Sequence, residues 1–217
     1  MRHNIPVPKW LTTILSSVLL ALASCNRGQN PGRPQEEMSA PEYEVLSAWL
    51  DDKITAKARA NGLSQIVIYE TTDSDDDRLL RDDSGQRIPW EKEAESLRKK
   101  DSLLQQSTLD TYRKMNGQAV FLRHSLHPTV AYQVVNRAQL EPIFCYHCGS
   151  WPAYYKRFPG SQGLLTFSRV GFNTDGTQAF FYYSNMCDGL CGTGEYVIME
   201  KHDGSWAIQQ EIEMWVS

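Results

Sequence analysis

The chain has 217 residues, with 22 Lys and Arg against 26 Asp and Glu and a net charge of −4. That mildly acidic balance, without an extended basic run, argues against nucleic acid as a partner and against a polybasic grip on anionic lipid. The length leaves room for one domain with a sizeable core after terminal segments are set aside.

The N-terminus reads MRHNIPVPKWLTTILSSVLLALASC, with Arg2 and Lys9 as a positive leader and an uncharged, Leu-rich run from Trp10 to Ala23. That run is shorter than the roughly 20 apolar residues of a membrane span, and a charged leader before a short apolar core is the pattern of an export signal. It closes on Leu22-Ala23-Ser24-Cys25, which resembles the bacterial lipobox. The resemblance implies removal of residues 1–24 as a signal peptide and lipidation of Cys25 with palmitate-type acyl chains. At about 0.8 kcal/mol per buried methylene, several such chains make a lasting membrane anchor. Asn26 stands where inner-membrane lipoproteins often carry aspartate, so the implied location is the outer membrane of the cell envelope, with the domain facing the periplasm. Residues 26–41, NRGQNPGRPQEEMSAP, are polar and rich in Pro and Gly. They read as a flexible tether, which makes residues 25–41 the lipidated cysteine and linker and 42–217 a single globular domain.

In chain order, Ser39-Ala40-Pro41-Glu42 has the form of a capping box with Pro in the first turn, and Leu46, Trp49, Leu50 and Ile54 follow at helical spacing towards a stop at Asn61-Gly62. Gln65–Thr72, QIVIYETT, reads as a strand. Trp90 to Asn116 is helical in composition. Ser107 is a possible cap for a second helix there, with Leu109, Tyr112 and Met115 on its buried face. Thr129–Val135 is a further strand. Asn136 is placed to cap a short helix reaching Phe144. SWPAYYKRFPG combines a Ser150 cap with Pro152 in the first turn and a stripe of Trp151, Tyr154, Tyr155 and Phe158.

After Gly160 the pattern turns to β. Leu164–Asn173, Thr177–Met186, Glu195–His202 and Ser205–Val216 are strand-like runs, and Asp203-Gly204 is a tight-hairpin signal. Trp206, Ile208, Ile212, Met214 and Val216 share one parity, broken only by Gln210, which predicts a strand with one buried face. The expected class is α+β: a helical N-terminal half packed on a C-terminal antiparallel β-meander of about four strands.

Three stretches of this C-terminal part, Ser168–Asn173 (SRVGFN), Cys187–Gly192 (CDGLCG) and Trp215–Ser217 (WVS), resemble the motifs of a family of secreted and lipid-anchored bacterial proteins. The likeness runs from about Trp151 to the end and more weakly back to about Leu109. It implies a domain type and brings no activity with it. The C-terminal hairpins are also similar to the cone-like helix-on-sheet folds of the nuclear transport factor 2 type, and the concavity of the sheet is where a protein, peptide or small ligand is expected to bind.

Cys145, Cys148, Cys187 and Cys191 remain after Cys25. An even count in an exported domain points to disulfides, with three possible connectivities. The family resemblance, which carries the C-x-x-x-C pair alone, implies the local pairing of Cys187 with Cys191 and hence of Cys145 with Cys148. Four thiolates on one zinc remain an alternative, as does a thiol-redox centre at Cys-Tyr-His-Cys. No cofactor and no metal is expected on the disulfide reading. Elsewhere, Thr72–Asp77 reads as a solvated acidic loop, and His124 and His127 as surface histidines. Arg169 is placed to meet a buried acid such as Glu195. Ser161 and Ser168 lack a nucleophile elbow.

The functional expectation is a non-enzymatic binding or interaction domain for an unknown protein or small ligand, held at the membrane by lipid. The alternatives are an enzyme using His124, Arg169 or Glu195 in a pocket, and a zinc-stabilised or thiol-active domain.

Overall fold

The computed structural model describes residues 37–55, 62–74, 86, 88–123, 125–145 and 150–217. Helix α1 spans Ala40–Trp49 and opens as its sequence predicts: the backbone N–H and Oγ of Ser39 both donate to the Glu42 carboxylate, at 2.7 and 3.0 Å, and Pro41 sits in the first turn. It buries Val45, Leu46 and Trp49 and continues into a π-helical turn, Leu50–Thr55. The predicted stop at Asn61 lies outside the described residues. The fold begins earlier than the expected tether boundary. Glu37 bridges to Phe121 and Met38 is 3% exposed within the core, so residues 37–41 belong to the packed structure. From Glu36 to the C-terminus the chain forms one compact unit.

The class is α+β, but the arrangement departs from an N-terminal helical half on an antiparallel meander. Five α-helices are described, and they alternate with strands of one mixed, seven-stranded sheet. The strands are β1 (Ile66–Tyr69), β2 (Tyr132–Val135), β3 (Leu164–Phe167), β4 (Gly171–Phe172), β5 (Gln178–Asp188), β6 (Cys191–His202) and β7 (Ser205–Val216). Their order is β2-β1-β3-β5-β6-β7, with β4 also paired to β5. β1 pairs in parallel with both β2 and β3, whereas β3, β5, β6 and β7 are antiparallel neighbours.

The chain connectivity accounts for this. The β1–β2 connection contains α2 (Trp90–Lys100) and α3 (Gln106–Met115). The β2–β3 connection contains α4 (Arg137–Phe144) and α5 (Trp151–Arg157). Such long helical crossovers are what parallel pairing requires, while the short turns after β5 and β6 permit only hairpins. The β6–β7 turn is as predicted, with Asp203 and Gly204 both at positive φ, 50° and 84°.

Helices pack on both faces of the sheet, in place of the single open concavity expected from a cone-like fold. On one face α1 packs against Ile66, Ile68, Phe167, Phe181, Tyr183 and Val197. On the other, α2 and α3 cover Phe180, Tyr182, Tyr196 and Ile198, and α4 and α5 cover Val67 and Val135. β7 serves both faces. The β6–β7 register shifts between Ile198 and Met199, leaving Gln209 as an extra residue. Trp206 and Ile208 therefore pack with α1, while Ile212 and Met214 pack with α2 and α3. The single parity in the sequence is cut by a bulge that moves the second half to the opposite face, so the predicted single buried face does not form.

Helix α3 starts at Gln106, not at a Ser107 cap. Its N-terminus is held by buried Gln178 of β5, whose Oε1 accepts from Gln105 N and Thr108 Oγ1, both at 2.9 Å. Leu109 and Tyr112 are buried beneath it as predicted, and Met115 is half-buried. Asn136 caps α4 as its sequence predicts, and Gln139 completes a capping box, the two exchanging side chain-to-backbone bonds at 3.0 Å.

Candidate functional site

The SRVGFN stretch is accounted for by structure, residue by residue. Ser168 Oγ donates to its neighbour's carbonyl and accepts from Tyr182 N, at 2.9 and 2.8 Å. Arg169 is 5% exposed and forms a bidentate pair with Glu42, Nε at 3.1 Å and Nη2 at 2.8 Å. Val170 N also donates to Glu42, and the Asn116 side chain clamps the Arg169 backbone from both sides. A Cβ on Gly171 would lie 2.5 Å from the backbone N of Tyr112, so only glycine lets α3 approach β4 this closely. Phe172 packs against Trp206, and Asn173 Oδ1 accepts from Thr177 N and Gln178 N to close the turn into β5. The buried acid expected for Arg169 is therefore Glu42 and not Glu195, because α1 delivers its capping glutamate to the same point.

Glu195 lies instead beside Lys53 of the π-helical turn, 3.7 Å away, and Lys53 also pairs closely with Glu211. Trp49 Nε1 donates to Glu211 at 3.4 Å. Burial, with the Glu195 carboxylate adding to it, drives the Tyr183 hydroxyl far above its ordinary range and keeps it protonated. These charges satisfy one another between α1 and the sheet, tying the π-helical turn down. They hold no alignment of nucleophile and base. His124 lies outside the described residues, and His127 is exposed, held by its backbone to Ser47. Ser161 Oγ donates to Phe158 O. In the acidic stretch Thr72 and Ser74 are buried, and residues 75–77 lie outside the description.

Cys187 and Cys191 form a disulfide across the β5–β6 turn, with Cα atoms 5.1 Å apart. The Tyr155 hydroxyl of α5 donates to Cys187 O at 2.8 Å and fixes this end of the sheet. With those two sulfurs joined, a four-thiolate zinc site is not available to this state of the chain. Cys145 is disulfide-bonded, while Cys148 and Cys25 lie outside the described residues.

Among the described residues, a substantial cavity lies elsewhere, on the face of the sheet opposite α1. A groove of ≈ 590 Å³ lies against α4. Leu164 and Thr166 of β3 and Tyr69 of β1 form its floor, because alternate residues of these strands point to this face. Leu140, Phe144 and Cys145 form the α4 wall, and Arg137 and Glu141, one helical turn apart, stand at its rim. Phe144 is 40% exposed although its ring meets Trp151 and Tyr154. A second cavity, near Asn185 and Gln162, is ≈ 40 Å³ and too small for an organic ligand.

Of the described site residues singled out from the sequence, only Cys145 lines the groove. Arg169 and Glu195 are engaged elsewhere and are not brought together. The groove residues were overlooked because their segments are short and their apolar positions read as core. The available signal was charge: Arg137 opens a helix and Glu141 follows one turn later, each against the usual placement for a helix end. Comparison with protein-family models, with curated proteins and with solved structures gives no significant match.

Proposed function

We propose that the protein is a lipid-anchored binding protein of the bacterial envelope, tethered through Cys25 and using the groove beside α4 to hold a small ligand or short peptide. The observation that carries the binding reading is the groove itself. Its volume of ≈ 590 Å³ falls within the range of small-molecule sites, and it combines a mostly apolar lining with two charged groups at the rim. Buried Arg169 is paired with Glu42, and half-buried Lys53 with Glu195 and Glu211, all of them away from the groove. That leaves the groove suited to recognition more than to acid–base chemistry. The envelope location rests on the leader and the Leu-Ala-Ser-Cys sequence, and an oxidising compartment agrees with a disulfide between Cys187 and Cys191. The pairing of Cys145 with Cys148 belongs to the same proposal.

The test is a fluorescence titration of the detergent-extracted full chain with 1-anilinonaphthalene-8-sulfonate, an apolar anion. Saturable binding is expected, weakened about tenfold by Phe144→Ala, as loss of one aromatic contact of roughly 1.4 kcal/mol implies. Binding that never saturates, or that ignores Phe144→Ala, rules out the groove as the site.

A further inference from the structure

The two rim charges of α4 are set against the physics of their own helix. Cations stabilise the C-terminal end of a helix and anions the N-terminal end. α4 has eight residues, with Arg137 in its first turn and Glu141 beyond it, and carries neither an acid in the first turn nor a base in the last. An arginine followed four residues later by a glutamate is also the weaker orientation of an i,i+4 pair. Both side chains are exposed, and among the described residues neither forms an ion pair. The fold therefore gains little from either charge where it stands, yet both line the same groove, above a floor of Leu164, Thr166 and Tyr69.

From this juxtaposition we infer that the groove takes a zwitterionic ligand with an apolar body, a dipeptide with free ends. Arg137 receives the carboxylate, Glu141 the ammonium, and Phe144 and the floor receive the side chains. Residues four apart on a helix place their Cβ atoms about 6 Å apart. A two-residue peptide spans about 7 Å in the extended form, within reach of two long side chains rooted at that spacing. The planar guanidinium of Arg137 suits a carboxylate by paired donors. Phe144, three residues after Glu141, offers a ring beside which an ammonium is favourable. The inference rests on the groove being the binding site.

The experiment is calorimetric titration of the detergent-extracted full chain with L-leucyl-L-phenylalanine, its N-acetyl form, its C-terminal amide and the doubly blocked peptide. The free dipeptide is expected to bind at least tenfold more tightly than either singly blocked form. Glu141→Gln should abolish the penalty for acetylation only, and Arg137→Gln the penalty for amidation only. Either substitution should leave the melting temperature equal or higher, since each removes a charge from the wrong helix end, so lost binding is not lost folding. Equal affinity for all four peptides, no binding of any of them, or penalties that persist in the variants overturn the zwitterion rule. If the anilinonaphthalene dye still binds and still depends on Phe144 in that event, the groove reading survives. If the dye is indifferent to Phe144, the groove reading fails as well.

Discussion

The Glu42 carboxylate closes the capping box of α1 and also neutralises Arg169, so one side chain fixes both the start of the first helix and the bend between β3 and β4. Removing one partner of a buried ion pair strands the other, at a cost of about 3–5 kcal/mol, whereas replacing both by apolar residues is far milder. Glu42→Gln is accordingly expected to lower unfolding free energy in urea by about that amount, and the Glu42→Leu, Arg169→Met double variant to recover part of it, since Ser39 N and Val170 N still lose their acceptor. A Glu42→Gln protein as stable as the native one would show that the pair contributes nothing. The capping role of Glu42 was legible from Ser39 and Pro41 because it depends on neighbours in sequence. Its pairing with Arg169 was not, because 127 residues separate the two and Glu195 is an equally plausible acid by composition. The inverted charges of α4 are a second residue-scale feature that could have been noticed, though not placed in a groove, before the fold was known.

Among the elements, those defined by local chemistry appear where the sequence predicts them. Examples are α4 after Asn136, α5 after Ser150 and the hairpin at Asp203-Gly204. Elements whose partners are remote do not follow from pattern alone. β1 and β2 are four-residue strands, and nothing local distinguishes a parallel from an antiparallel neighbour for such short runs. The bulge at Gln209 leaves only a polar residue, Gln210, as its mark on the parity of β7, and a single polar interruption does not announce a change of face, yet the bulge decides which core each half joins. The β5–β6 turn is closed covalently by Cys187 and Cys191. Replacing both by serine should cost about 2 kcal/mol, the chain-entropy value for so small a ring, without change in secondary structure by circular dichroism. Intact mass of the natively extracted protein, before and after reduction and alkylation, should show acyl mass on Cys25 and four further cysteines that react only once reduced. An unlipidated chain that still carries its leader, or thiols that alkylate without reduction, would contradict the envelope reading.

For the whole molecule, a mixed sheet with helices on both faces keeps a cavity where two helix pairs share one face without filling it. α2 and α3 cover one end of that face, α4 and α5 the other, and the groove lies along α4 above β1 and β3. The opposite face is closed by α1 and by the Lys53, Glu195 and Glu211 charges, which hold the π-helical turn against the sheet. No arrangement of motifs in the sequence contains this information, since the groove draws on β1, β3 and α4, which lie up to a hundred residues apart. The most direct measurement is hydrogen–deuterium exchange of the unmodified full chain with and without saturating 1-anilinonaphthalene-8-sulfonate. Slowed exchange confined to Arg137–Cys145 and the Leu164–Phe167 strand is the predicted result. Protection that falls instead on Leu50–Thr55 and the ends of β6 and β7, or nowhere, would contradict it.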